Sequence, residues 1–328
     1  MTYRKLGKTG FEISEISLGA WQLGGKWGSA FDHSNAERIL DAAIGQGVNF
    51  IDTADVYSDG ESEAAVGRAV RAYPGRIYVA TKCGRRLNPH RNESYTPRAL
   101  RSFVEDSLRN MRMEALDLVQ LHCPPWEVYY RPEIFGLFDR LKEEGKILNM
   151  GVSVEKVEEA LKAIQYPNVA TVQIIFNMFR HRPAELFFQE ARKKGVGIIA
   201  RVPLASGLLT GTYSKHTHFH PGDHRHDNRQ GEQFDKGETF SGVDYDTGLK
   251  AVEALKKLFA GKESLAAQAL RWVLMFDAVS TVIPGASRPE QVALNLAAGM
   301  LSPLTEAEMQ GVQAVYERYI REPVHQLW

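Results

Sequence analysis

The sequence holds only two cysteines, Cys83 and Cys123, among 328 residues. So sparse a thiol content excludes a disulfide framework and suits a reducing compartment. No apolar run approaches the roughly 18 residues that a membrane span needs. The opening stretch MTYRKLGKTG has no apolar core of the kind that marks a secretory leader, and the expected location is the cytoplasm. An excess of charge of one sign is also missing. Forty Lys and Arg offset forty Asp and Glu, so nothing electrostatic points to nucleic acid or to an anionic membrane. No low-complexity tract or linker divides the chain, and residues 1–328 read as a single domain.

What is present is alternation. Short β-branched runs at 15–18, 49–52, 77–82, 118–122, 149–152, 171–174, 196–201 and 279–283 are separated by amphipathic segments. Several runs are apolar throughout, as expected for parallel strands covered by helices. Ser34 is placed to cap a helix carrying Ile39, Leu40, Ala43 and Ile44, with Gly47 ending it. Thr96–Pro97 reads as the N-cap and first turn of a helix with Leu100, Phe103, Val104 and Leu108 on one face. Eight such units predict an α/β fold, a (β/α)8 TIM barrel. A doubly wound sheet has the same local pattern. Its dinucleotide fingerprint, however, is missing after the first strand, where Gly24, Gly25 and Gly28 read as a loop. Outside the repeat, residues 3–14 predict a short hairpin turning near Lys8–Gly10. Thr305 and Glu308 predict a capping box opening one of the extra C-terminal helices. Residues 212–246 are polar and aperiodic, and a loop of that length in a compact domain is usually functional.

In a β/α barrel the C-terminal strand ends converge on one pocket. Asp52, Lys82 and His122 fall there on successive predicted strands, and Tyr57 follows five residues after Asp52. Adjacent strands lie about 4.8 Å apart, so the four groups can share a small site. A phenol ionises near pH 10, and a neighbouring ammonium draws that value down. Asp52 would hold Lys82, while His122 would orient a substrate oxygen. None of the four supplies two electrons, so a hydride donor must come from a cofactor. Singly, each residue has an ordinary structural role to play; their joint placement is what singles them out.

FIDTADVYSDGESEAAVG, ATKCG and DLVQLHCP resemble the aldo-keto reductase segments that carry, in turn, the catalytic Asp and Tyr, the Lys and the His. GKILNMGVS, VQIIFNMF, PLASGLLTG and VIPGASRPEQVALN resemble further segments of that family in the same order. The resemblance runs from RKLGKTG to the C-terminal helix, and the family's potassium-channel β subunits share it. It implies an oxidoreductase interconverting a small-molecule carbonyl and alcohol, with NADP(H) extended across the strand ends. By resemblance Asp52, Tyr57, Lys82 and His122 form the catalytic tetrad. Ala20, Trp21 and Asp52 would lie near the nicotinamide ribose, and Ser153 and Gln173 would bind the carboxamide. Pro203, Leu204 and Ser206 would follow the pyrophosphate, while Gly285, Ser287, Arg288, Gln291 and Asn295 would hold the adenosine end. Arg288 opposite a 2′-phosphate makes NADPH the expected cofactor rather than NADH.

Two positions depart from the family pattern. Arg201-Val202 precedes Pro203-Leu204 where an aromatic residue often stacks on the nicotinamide, so Arg201 is expected to flank the ring. Leu294 replaces a glutamate beside Asn295. The substrate pocket is expected to involve Trp21, Tyr57, His122 and Trp126, with Trp27 and Tyr129 on nearby loops. His216, His218, His220, His224 and His226 could bind a metal, but a polar lid with Arg225 on the pyrophosphate is the favoured reading, and no metal is expected. Cys83 and Cys123 each follow a tetrad residue, which does not fix disulfide geometry. A low-turnover NADPH-binding redox sensor and a Lys82 Schiff-base lyase are the competing readings. The Asp52 partner, which keeps the amine protonated, speaks against the lyase.

Overall fold

The computed structural model describes residues 1–25 and 30–328. Trp27 and Gly28, singled out above, lie outside the described residues. An antiparallel hairpin of β1 (Tyr3–Lys5) and β2 (Glu12–Ser14) comes first. Between its strands Gly10 takes a positive φ of 81°, as a tight turn there requires. Eight parallel strands follow: β3 (Leu18–Gly19), β4 (Phe50–Asp52), β5 (Tyr78–Cys83), β6 (Leu116–His122), β7 (Ile147–Ser153), β8 (Val169–Ile175), β9 (Gly197–Arg201) and β10 (Val279–Val282). They pair in chain order. Parallel bridges Ile16–Val282 and Gly19–Gly285 bring β10 back to β3 and close the barrel. This removes the doubly wound alternative, because an open sheet has two free edges.

Helices His33–Gly45, Glu61–Ala72, Pro97–Met111, Pro132–Glu143, Val157–Ala163, Phe187–Lys193, Leu265–Leu274 and Pro289–Ala297 form the outer layer. The first is capped by Asp32, whose side chain accepts from the Asn35 amide, and not by Ser34. Asp32 is equally a good cap and sits two residues earlier, so the helix gains half a turn. Thr96 and the Thr305–Glu308 capping box are as expected.

Inside the barrel the strands keep a period of two, and polarity changes along it. Phe50, Ala80, Leu118 and Ile199 make an apolar layer with Leu6, Phe11 and Ile13 of the hairpin segment. Two residues further along, β4, β5 and β6 present Asp52, Lys82 and Gln120. The hairpin thus plugs the barrel end from which the strands start. It fits so closely that a Cβ on Gly197 would lie 2.8 Å from the Leu6 carbonyl carbon and 2.9 Å from the Gly7 nitrogen.

The loop after β4 buries the Asp55 carboxyl. Neither Asp55 carboxyl oxygen has a hydrogen-bond partner among the described residues. Burial, and next the Glu63 charge, push its pKa up to about 8.

Two outcomes test these contacts. Gly197→Ala should cost about 1–3 kcal/mol in a urea unfolding titration, because backbone on both sides must move. Asp55 holds a proton in the folded state between about pH 4 and pH 8 that the unfolded chain has already lost, so folding stability falls with rising pH across that window. Asp55→Asn should therefore flatten the decline, with its urea midpoint overtaking the parent's more clearly at each higher pH. Parallel midpoint curves would show the acid to be ionised throughout.

Candidate active site

Because β4, β5 and β6 are in register, their inward residues meet at the barrel mouth. The Lys82 Nζ donates to Asp52 Oδ1 at 2.5 Å, to the Thr53 carbonyl at 2.8 Å and to the Tyr57 hydroxyl at 3.3 Å. The other Asp52 oxygen accepts from Gln120 Nε2 at 3.0 Å and from Gln173 Nε2 at 2.8 Å. Asp52 and Lys82 are almost wholly out of water at 2% and 1% exposure. An ion pair so desolvated persists only with its remaining hydrogen-bond capacity filled, which the two glutamines and Thr53 do. Space for the Gln120 side chain comes from Gly151, where a Cβ would sit 2.0 Å from the Thr171 hydroxyl and 3.3 Å from Gln120 Cγ.

The Tyr57 and His122 rings meet edge to face, 6.0 Å apart. Burial lowers the basicity of the Lys82 amine, but the Asp52 and Tyr57 contacts outweigh it and hold the ammonium above its ordinary pKa. For Tyr57 the balance differs from the expectation. Burial pushes the phenol up and Lys82 pulls it down, and burial wins, leaving it above its usual value. The hydroxyl is thus a firm proton holder beside a permanent cation. His122 is held well below its usual pKa, first by burial and then by Arg85 and Lys82, and is a neutral imidazole. Its Nδ1 is buried with no hydrogen-bond partner among the described residues. A proton donor, a cation and a neutral hydrogen-bonding ring on one wall suit a substrate oxygen gaining negative charge.

These groups stand at one end of a groove of about 670 Å³. Its walls include Ala20, Trp21, Asp52, Ser153, Gln173, Arg201, Pro203, Leu204, Ser206, Gly285, Arg288, Gln291 and Asn295, all predicted from the sequence. Ser287 is absent from the lining; its amide and hydroxyl donate to Gln291 Oε1 at 2.8 and 3.1 Å, so it shapes the groove through Gln291. Gln173 spends its amide on Asp52 while lining the groove. Ser264 caps the helix Leu265–Leu274, and Ser264 and Ala266 line the same wall. A helix N-terminus there favours an anion such as a pyrophosphate. The Arg288 guanidinium is exposed and has no ion-pair partner among the described residues. Residues of this chemistry fit an extended dinucleotide, with a reacting end among the tetrad and a cationic end at Arg288.

Several expectations need correction. Trp126 does not share a wall with Tyr57 and His122. It lies 59% exposed on a second recess of about 850 Å³ with Tyr129, Tyr130, Glu155 and Asp235, behind the shared partition of Arg85, Gln233 and Phe234. Arg201 lines the groove with its guanidinium already paired. Its guanidinium donates to Glu155 at 2.9 Å and to the Val154 carbonyl at 3.1 Å, and faces Glu238 at 3.6 Å. Arg85 pairs with the same two acids, at 2.9 Å to Glu238 and 3.7 Å to Glu155. Arg225 lines the groove but is committed to Asp223 and Tyr213. Among the described residues no grouping of the loop histidines could hold a metal; Cys123, Glu155 and Glu238 lie close together, with arginines already on both carboxylates. Cys83 and Cys123 are free and buried.

Sequence reading missed Gln120, Arg85, Glu155 and Glu238. The first was legible, since it sits two residues before His122 on the same inward face. The other three belong to loops, where no period reports direction.

The family model for the aldo/keto reductase family matches residues 15–317. An uncharacterized oxidoreductase of Bacillus subtilis, YqkF, is 30% identical, over 96% of each chain. A probable voltage-gated potassium channel subunit beta of rice is 28% identical, over 94% of each. The solved structure of the glycerol dehydrogenase AKR11B4 from Gluconobacter oxydans superposes with a TM-score of 0.78 at 30% identity, covering 99% of this chain and 98% of that one. With the barrel, the mouth and the matched segments in agreement, the chain belongs to the aldo/keto reductase family of nicotinamide-dependent oxidoreductases that act on carbonyls.

Proposed function

We propose that this protein reduces an aldehyde or ketone to the alcohol, or runs the reverse reaction, using NADPH, with Tyr57 as the general acid and base. The observation that carries the reading is the Tyr57 hydroxyl, 3.3 Å from a buried ammonium and edge-on to a neutral imidazole at the groove's inner end. The nicotinamide supplies a hydride to the carbonyl carbon when bound. In the reduction direction Tyr57 gives its proton to the carbonyl oxygen. Lys82, kept charged by Asp52, stabilises the phenolate left behind. A neutral imidazole carries a single N–H, which His122 can direct at the substrate oxygen. Arg288 supplies the unpaired guanidinium for a 2′-phosphate and so the preference for NADPH over NADH.

A second reading, a low-turnover NADPH-holding sensor, draws on the polar loop over the groove, where Tyr213, His224, Arg225, Gln233, Phe234 and Glu238 line the wall and would slow release. Single-turnover oxidation far faster than steady-state turnover would favour it.

Two measurements test the main reading. Tyr57→Phe should lower turnover of a carbonyl panel by about 10²–10⁴-fold while NADPH affinity, read by protein fluorescence quenching, stays near the parent's. Near-normal turnover would remove Tyr57 from the role. Arg288→Ala should weaken NADPH binding about tenfold or more and leave NADH almost untouched. Equal losses for both cofactors would assign the 2′-phosphate elsewhere.

A further inference from the structure

The Arg85, Glu155, Arg201 and Glu238 cluster lies against the tetrad, yet Glu238 arrives from the long loop. Something must hold that loop in place. The segment 235–242 is fixed on three sides. On its barrel side, Ser206 Oγ donates to the Glu238 carbonyl at 3.1 Å and accepts from the Phe240 amide at 3.0 Å. From the end of β8, Asn177 Nδ2 donates to Ser241 Oγ at 2.8 Å. The Arg180 guanidinium, 1% exposed, reaches the Ser241 and Gly237 carbonyls at 3.0 and 3.2 Å.

The third side is Trp328. Its indole lies 4.4 Å from the Arg180 guanidinium, centroid to carbon, and is 6% exposed. Its Nε1 donates to Asp235 Oδ1 at 2.7 Å, the same oxygen that accepts the Gly237 amide at 2.7 Å. The ring presses on bare backbone. A Cβ on Gly237 would lie 2.7 Å from it, and a Cβ on Gly242 only 2.5 Å. Two glycines and an acceptor at the right distance make a seat for this one ring. One residue beyond Gly237, Glu238 points the other way, into the active site.

We propose that Trp328 is a positioning residue for the active site: by seating on Gly237, Gly242 and Asp235 it holds the 235–242 segment so that Glu238 stays paired with Arg85 and Arg201 at the groove wall. Without the indole, the segment loses its outer support and Glu238 its fixed place. Arg85 and Arg201 then lose a shared counter-ion, and the wall formed by Gln233, Phe234 and Glu238 opens. The proposal rests on the reading of the groove as a dinucleotide site, and the parent protein's NADPH binding checks that reading separately.

The test combines Trp328→Ala, Trp328→Phe and Asp235→Ala with Glu238→Gln. Trp328→Ala should raise the NADPH dissociation constant roughly tenfold, as expected if the binding-competent fraction falls to about a tenth. Trp328→Phe, which keeps the ring on the glycines but not the N–H, should fall between. In the protein without cofactor, amide hydrogen exchange over 228–242 should quicken in Trp328→Ala while the barrel strands keep the parent's protection. In a Glu238→Gln background the Trp328→Ala change should add less than about twofold, since the two act through one connection. Losses that multiply in the double variant, or unchanged affinity and exchange in folded Trp328→Ala, would overturn the latch. Should Trp328→Ala fail to fold, Asp235→Ala cuts the same link from the loop side, and unchanged affinity there overturns it equally. If the parent protein itself does not bind NADPH, the groove reading fails, while hydrogen exchange still decides the latch.

Discussion

A buried ion pair sets the terms for the rest of this active site. Asp52 and Lys82 face each other across two adjacent strands with almost no access to water. Two charges so placed are costly to desolvate, and the attraction between them offsets that cost only if every remaining lone pair and proton is matched. The surrounding residues follow from this demand. Gln120 and Gln173 fill one Asp52 oxygen, the Thr53 carbonyl takes a second Lys82 proton, and the third is left for Tyr57. The phenol is therefore the partner of the ammonium that carries a proton and also faces the groove, which is why it can pass a proton outward.

The barrel interior shows how a single scaffold supports both stability and chemistry. The same strands that bring Phe50, Ala80 and Leu118 into an apolar layer bring Asp52, Lys82 and Gln120 into a polar one two residues later. The apolar layer and the hairpin plug keep water from reaching the ion pair from below. The polar layer then opens onto the groove. The long loop adds a second charged cluster, in which two arginines and two glutamates lie against the partition between groove and recess.

What the sequence revealed followed the periodicity. All eight barrel strands were legible from β-branched runs, with ends displaced by a few residues, because parallel strands in a closed barrel are apolar on both faces. Asp52, Lys82 and His122 could be placed together because they stand at strand ends, and Tyr57 because it follows Asp52 closely on the next loop. Ser34 was read as a cap from its residue type alone, while the tertiary path of the chain gives that role to Asp32. Arg201 was read as a flank for the cofactor from its place before Pro203-Leu204; its pairing with Glu155 and Glu238 was not visible because those acids come from loops far away in sequence. Likewise Trp126 sits on a loop whose direction no pattern fixes, and it turned toward the second recess. The Tyr57 phenol was expected to fall in pKa because the ammonium was visible in the sequence and the depth of burial was not.

The hairpin plug also carries a consequence for biosynthesis. Residues 3–14 are made well before much of their resting place. Leu6 and Gly7 lie on Gly197, and Arg4 donates to the carbonyls of Leu274 and Val279. Until those positions emerge, Leu6, Phe11 and Ile13 have only the Phe50, Ala80 and Leu118 part of their layer to pack on, and β3 has no β10 to close against. The plug is thus completed long after it is made, so a nascent chain carries partly uncovered apolar side chains through much of its translation.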